Sequence, residues 1–204
     1  RLRLNMALVT TAIVKTYLGV SSSGDDDLLD DLVENAQKII ETFTGRVFDV
    51  SSATVKKFDA VANVDGRNLY FSEGLELAAE PTSVTNGDGT ALVADTDYIV
   101  TPTNSYPSYG LTMLQSSSNW WQGKSNGDMA NAISINAKWG YSVSGSVPND
   151  IVQAATRLSA FLYRQRDTNS DADRPLIVDG VTILPSALPH DVERILMPYV
   201  MRAF

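Results

Sequence analysis

Eight apolar residues between positions 28 and 43 limit the folds open to this chain. Leu28, Leu29, Leu32, Val33, Ala36, Ile39, Ile40 and Phe43 recur at steps of one and three, the spacing of one helix face over four turns. Gly45 follows as a C-terminal stop. A helix of this kind is apolar on one stripe only, so it needs a partner. Another helical stretch lies far along the chain. In "VPNDIVQAATRLSAFLYRQRD", Ile151, Ala154, Ala155, Leu158, Phe161 and Leu162 fall on one face, Pro148 suits the first turn and Asp150 complements its dipole.

Two further helical stretches lie outside these. Residues 8–19 place Ile13, Val14, Tyr17 and Leu18 at helical spacing, with Thr10 or Thr11 as cap and Gly19 as terminator. The final stretch "LPHDVERILMPYVMRAF" puts Val192, Ile195, Leu196, Tyr199 and Val200 on one side, with Pro198 expected to kink or stop the helix. Between the helices the pattern changes. Residues 54–141 alternate β-branched and aromatic runs with Gly, Asn, Asp, Ser and Pro clusters, and the runs "TVKKFDAV", "RNLYFS", "LELAAE", "ALVADTDYIVT", "GLTMLQ" and "AISINAKWGYS" read as strands. "TNGDGT" at 85–90 is a hairpin signal. "NSYPSYG" and "SSSNWWQGKSNGDM" read as exposed loops.

The expected fold is α+β. Residues 1–50 and 148–204 form the two halves of a four-helix bundle, and residues 51–147 form an inserted antiparallel β sandwich or barrel. Residues 1–5 are expected to be weakly ordered. Residues 1–20 contain no continuous apolar core of a signal peptide. No apolar run reaches the ~20 residues of a membrane span, so no membrane partner is expected.

Composition excludes several chemistries. With no cysteine, the 204 residues cannot form disulfides, thiolate nucleophiles, Fe–S clusters or cysteine-ligated zinc. The single histidine, His190, rules out a multi-histidine metal site, and no G-x-S-x-G elbow accompanies it. No Walker loop or dinucleotide fingerprint is present, so no cofactor is expected. The net charge of −8 is spread over the chain: residues 1–50 carry +5 and −8, residues 51–147 +5 and −9, residues 148–204 +6 and −7. Tight binding of nucleic-acid phosphates requires clustered Lys and Arg, which this chain lacks.

Two clusters bear on function. Asp25, Asp26, Asp27, Asp30 and Asp31 stand at the start of the second helix. Carboxylates there complement free N–H groups and the helix dipole by roughly 0.3–1 kcal/mol each. The spacing does not fit a calcium loop, because leucines occupy ligand positions. A capped helix with a solvated face, a loose divalent-cation site and a partner-facing acidic surface remain the three readings, the first favoured. Trp120 and Trp121 in a polar loop either stack on a sugar or bury one ring against the sheet. Arg157, Arg164 and Arg166 suit dipole and salt-bridge roles near a helix end better than phosphate binding.

The order of these elements resembles a known family. "MALVTTAIVKTYLGV", an acidic linker and "DDLLDDLVENAQKIIETFTGR", then "VPNDIVQAATRLSAFLYRQRD" and "LPHDVERILMPYVMRAF", are similar to the helical segments of the head-to-tail connector (adaptor) proteins of tailed bacteriophages. The resemblance implies a structural virion protein in the neck, not an enzyme. It implies a homo-oligomeric ring of roughly twelve subunits beneath the portal protein, extending the DNA channel and docking a stopper, head-closure or tail-completion protein. DNA would pass through without sequence-specific binding. It also implies portal contact through Leu196, Pro198, Tyr199 and Arg202. Asp25, Asp26, Asp27, Asp30 and Asp31 would then serve an acidic lumen or a subunit contact. Two rivals stand beside it: a β-sandwich module recognising a carbohydrate or surface partner through Trp120 and Trp121, and a hydrolase built on the aspartates.

Overall fold

A computed structural model describes residues 7–72, 74–165, 176–178, 181–183 and 188–201. The expectation for residues 1–5, Arg166 and the stretch 168–175 lie outside the described residues. The rest divides into two compact units, one of Arg46–Ser146 and one of Ala7–Gly45 with Val147–Met201.

The helical unit is built on α2 (Asp26–Thr44) and α3 (Asn149–Gln165). The predicted stripe of α2 turns inward through Leu29, Val33, Ala36 and Ile40, all buried. That of α3 does so through Ile151, Ala154, Ala155 and Leu158. Burying each large aliphatic side chain stabilises by about 1.5–3 kcal/mol. Gly45 ends α2 at φ 70°, a left-handed conformation that glycine adopts without a Cβ penalty. The shorter α1 (Thr11–Leu18) begins where the Thr10 hydroxyl accepts from the Ile13 N–H and ends at Gly19, φ 71°. After a two-stranded antiparallel hairpin of β9 (Leu176–Val178) and β10 (Val181–Ile183) comes α4 (His190–Leu196).

The expected four-helix bundle is not formed. α2 and α3 have 19 and 17 residues, but α1 has eight and α4 seven. Helices of about two turns cannot run the length of the long pair, so each packs locally against part of it. Thr10 and Gly19 bracket α1 too closely. At the other end Pro198 lacks an N–H, the helix tightens into a 3₁₀ turn at Met197–Tyr199, and Val200 is extended.

The β unit contains two four-stranded antiparallel sheets. One has the order β1 (Thr54–Phe58), β8 (Ile133–Ala137), β4 (Ser83–Thr85), β5 (Ala91–Leu92). The other has the order β2 (Val64–Asp65), β3 (Asn68–Tyr70), β7 (Gly110–Met113), β6 (Tyr98–Thr101). Alternation along β8 points Ile133, Ile135 and Ala137 inward. They share a core with Phe58, Val84 and Leu92 of the same sheet, and with Leu69, Tyr98, Leu111 and Met113 of the other. "LELAAE" is not a strand; Leu77 makes only single bridges, to Ser108 and Trp139.

"TNGDGT" forms the predicted hairpin, with Thr85 paired to Ala91 and the Asn86 N–H donating to Thr90 O at 2.8 Å. Asn86 is itself buried and clamps the tryptophan loop. Its Nδ2 donates to Trp120 O at 2.7 Å, and its Oδ1 accepts from the Gln122 N–H at 2.9 Å. The loop is so close that a Cβ on Gly87 would stand 2.2 Å from Gln122 O and 2.5 Å from Gly123 C. Backbone on both sides leaves no room to yield. Gly87→Ala is therefore expected to lower unfolding free energy by about 1–3 kcal/mol, measured by urea denaturation against wild type.

Candidate functional site

The five aspartates are split by the fold. Asp25 precedes α2; its own carbonyl accepts from the Leu29 N–H at 2.9 Å, but its carboxylate makes no capping bond. Instead Asp25 Oδ2 accepts from the Tyr163 hydroxyl of α3 at 2.6 Å. Asp26 Oδ1 meets Lys15 Nζ of α1 at 2.6 Å. Asp30 Oδ1 accepts from the Thr11 hydroxyl of α1. These three tie α2 to both neighbouring helices. Hydrogen bonds to charged groups contribute about 1.5–3 kcal/mol where shielded from water. Asp27 and Asp31 are exposed. Among the described residues no group of three Asp, Glu or His side chains could hold a metal ion.

The C-terminal candidates also separate. Leu196 is fully buried, with Val192, inside the helical unit. Pro198 is exposed and Tyr199 half-buried, the latter donating to Asp150 Oδ2 at 3.4 Å. Arg202 lies outside the described residues. Met201 closes the segment, its N–H donating to Thr44 O at 2.8 Å. Arg157 pairs with Asp191 at 2.6 Å and joins α3 to α4, which depresses the Asp191 carboxyl below its usual range, chiefly through that hydrogen bond. His190 is exposed beside Glu193.

The tryptophans do not form a paired stacking platform. Trp121 is buried, its Nε1 donating to Arg67 O at 2.8 Å. The Arg67 guanidinium lies 4.0 Å over the Trp120 ring, covering one of its faces.

One strongly perturbed group lies elsewhere, where spacing gave no signal. Glu76 is buried in the β unit against Arg46, whose guanidinium also lies 5.1 Å from the Tyr141 ring centre. Burial pushes the Glu76 carboxyl up to about 7, while Arg46 pulls the other way. Glu76 Oε1 has no hydrogen-bond partner among the described residues.

No protein-family profile matches the chain, and neither does any curated protein sequence. Solved structures do resemble it. A chain in the neck of the empty gene transfer agent (GTA) particle, computed with C6 symmetry, aligns with TM-score 0.56 and 17% identity over 95% of this chain and 90% of that one. A chain of the native GTA virion aligns with TM-score 0.54 and 19% identity, again over 95% and 90%. One from the native GTA neck, computed with C12 symmetry, gives TM-score 0.53 and 18% identity over 95% and 92%. At these identities the likeness establishes the fold.

Two tests follow from the geometry. Asp25→Ala and Asp30→Ala should each lower unfolding free energy by about 1–3 kcal/mol, whereas Asp31→Ala should stay within about 0.5 kcal/mol, as urea titrations would measure. Glu76 has a folded pKa above its ordinary value of 4.5, so its contribution to stability is full below that value and is lost as pH rises through about 7. The melting temperature should fall across that window, and Glu76→Gln should flatten the fall.

Proposed function

We propose that the chain is a non-enzymatic structural component of the neck of a tailed-phage-like virion: an adaptor that forms a ring under the portal. The observation that carries this is the likeness over 95% of the chain to chains of GTA necks. The order of its helical segments, shared with the head-to-tail connector family, points the same way. The symmetries of those necks, C6 and C12, fit a homo-oligomeric ring, here taken as a dodecamer.

Charge supports the channel role. Twelve copies at −8 carry on the order of −96 before counter-ions. An acidic bore repels phosphate, so DNA passes without adhering. Of the five aspartates, Asp27 and Asp31 are the exposed pair available to a lumen or a neighbouring subunit, while Asp25, Asp26 and Asp30 hold the helices. Portal contact is proposed for Pro198, Tyr199 and Arg202, with Leu196 anchoring the turn from inside. The ring's far side would dock a stopper, head-closure or tail-completion protein.

Electron microscopy of particles assembled without this chain tests the proposal. Filled heads and free tails that fail to join, or heads that lose DNA, are expected. Complete virions that only bind cells poorly would overturn it in favour of a surface-recognition module.

A further inference from the structure

The dipeptide Asn-Gly occurs twice in the chain, at Asn86–Gly87 and at Asn126–Gly127. A glycine has no Cβ to keep its backbone nitrogen away from the Cγ of the residue before it. That nitrogen can attack the Cγ and displace the side-chain amine. The fold gives the two pairs opposite surroundings.

Asn86 is 3% exposed, and both polar atoms of its side chain are held. Its Nδ2, the atom that would leave as ammonia, donates to Trp120 O at 2.7 Å. Its Oδ1 accepts from the Gln122 N–H at 2.9 Å and from the Gly87 N–H at 3.0 Å. The attacking nitrogen therefore points its hydrogen at the oxygen rather than its electrons at the carbon. Gly87 has no room to turn, because Gln122 O and Gly123 C stand against it.

Asn126 and Gly127 are both exposed, in a turn of the loop that follows Trp121. The Gly127 N–H donates to Lys124 O at 2.8 Å. A single turn bond at the surface opens locally, without unfolding the β unit. Asn126 Oδ1 accepts from the Asp128 N–H at 3.0 Å. That donor polarises the side-chain amide and stabilises the negative charge that develops on Oδ1 during attack.

We propose that Asn126 is a site of spontaneous deamidation and that the fold protects Asn86 from the same reaction. The Gly127 nitrogen gives up its proton and bonds to Asn126 Cγ. The Cγ–Nδ2 bond breaks, and ammonia leaves with a proton equivalent to the one released. Water opens the resulting cyclic imide at either carbonyl, which leaves aspartate or isoaspartate at position 126. In sum, a side-chain amide and water become a carboxylic acid and ammonia, with no change of oxidation state. Either product adds a negative charge beside Asp128.

The test incubates the purified full chain in mildly alkaline buffer, once folded and once in urea, and follows both sites by peptide mass spectrometry. In the folded chain the Asn126 peptide should convert to aspartate and isoaspartate while the Asn86 peptide stays unchanged. In urea both should convert at similar rates. On isoelectric focusing, wild type should accumulate an acidic species that Asn126→Gln loses, since the longer side chain disfavours the imide. An Asn126 that converts in urea but not in the folded chain would overturn the proposal. So would an Asn86 that converts as fast folded as unfolded, or an acidic species that persists in Asn126→Gln.

Discussion

The packing of α2 against α3 is the constraint on which the helical unit depends. Each helix buries one stripe, Leu29 to Ile40 on one and Ile151 to Leu158 on the other, and neither stripe has a sufficient partner nearby in sequence. The chain must therefore leave at Gly45 and return at Val147, with the whole β unit formed between. Tyr163 near the end of α3 reaches Asp25 at the start of α2, which fixes the pair as antiparallel. α1 and α4 then occupy what remains exposed of the pair, and their shortness leaves apolar side chains uncovered.

The aspartate-rich start of α2 shows how one cluster divides between stability and surface. A cap alone explains one or two carboxylates. Three are used to fasten α1 and α3, through Lys15, Thr11 and Tyr163. The remaining two, Asp27 and Asp31, are exposed. The buried Arg46–Glu76 pair is of another kind. Desolvation outweighs the attraction of its partner, as expected where two charges leave water together.

Helix positions were legible because a 3.6-residue period, Thr10, Gly19 and Gly45 all speak locally. The hairpin at 85–90 was legible for the same reason. Helix assembly was not: the bundle expectation counted four apolar stripes without weighing that α1 and α4 span only eight and seven residues. Burial of one tryptophan against the sheet was among the readings, but that the ring is Trp121 depends on tertiary approach, with Asn86, distant in sequence, holding the backbone on either side of it. β2 and β4, of two and three residues, are too short to show alternation. At the candidate site, Asp25 to Asp27 were correctly read at the helix start, but Tyr163 as partner of Asp25 and Lys15 as partner of Asp26 depend on tertiary approach. Leu196 was offered as a contact residue, although its place in the apolar stripe of α4 marked it equally as core.

A cryo-electron microscopy reconstruction of the intact particle's neck tests the central claim most directly. The account predicts a closed ring of this chain between portal and tail. Density for this chain only at the tail tip or on the capsid exterior would contradict it.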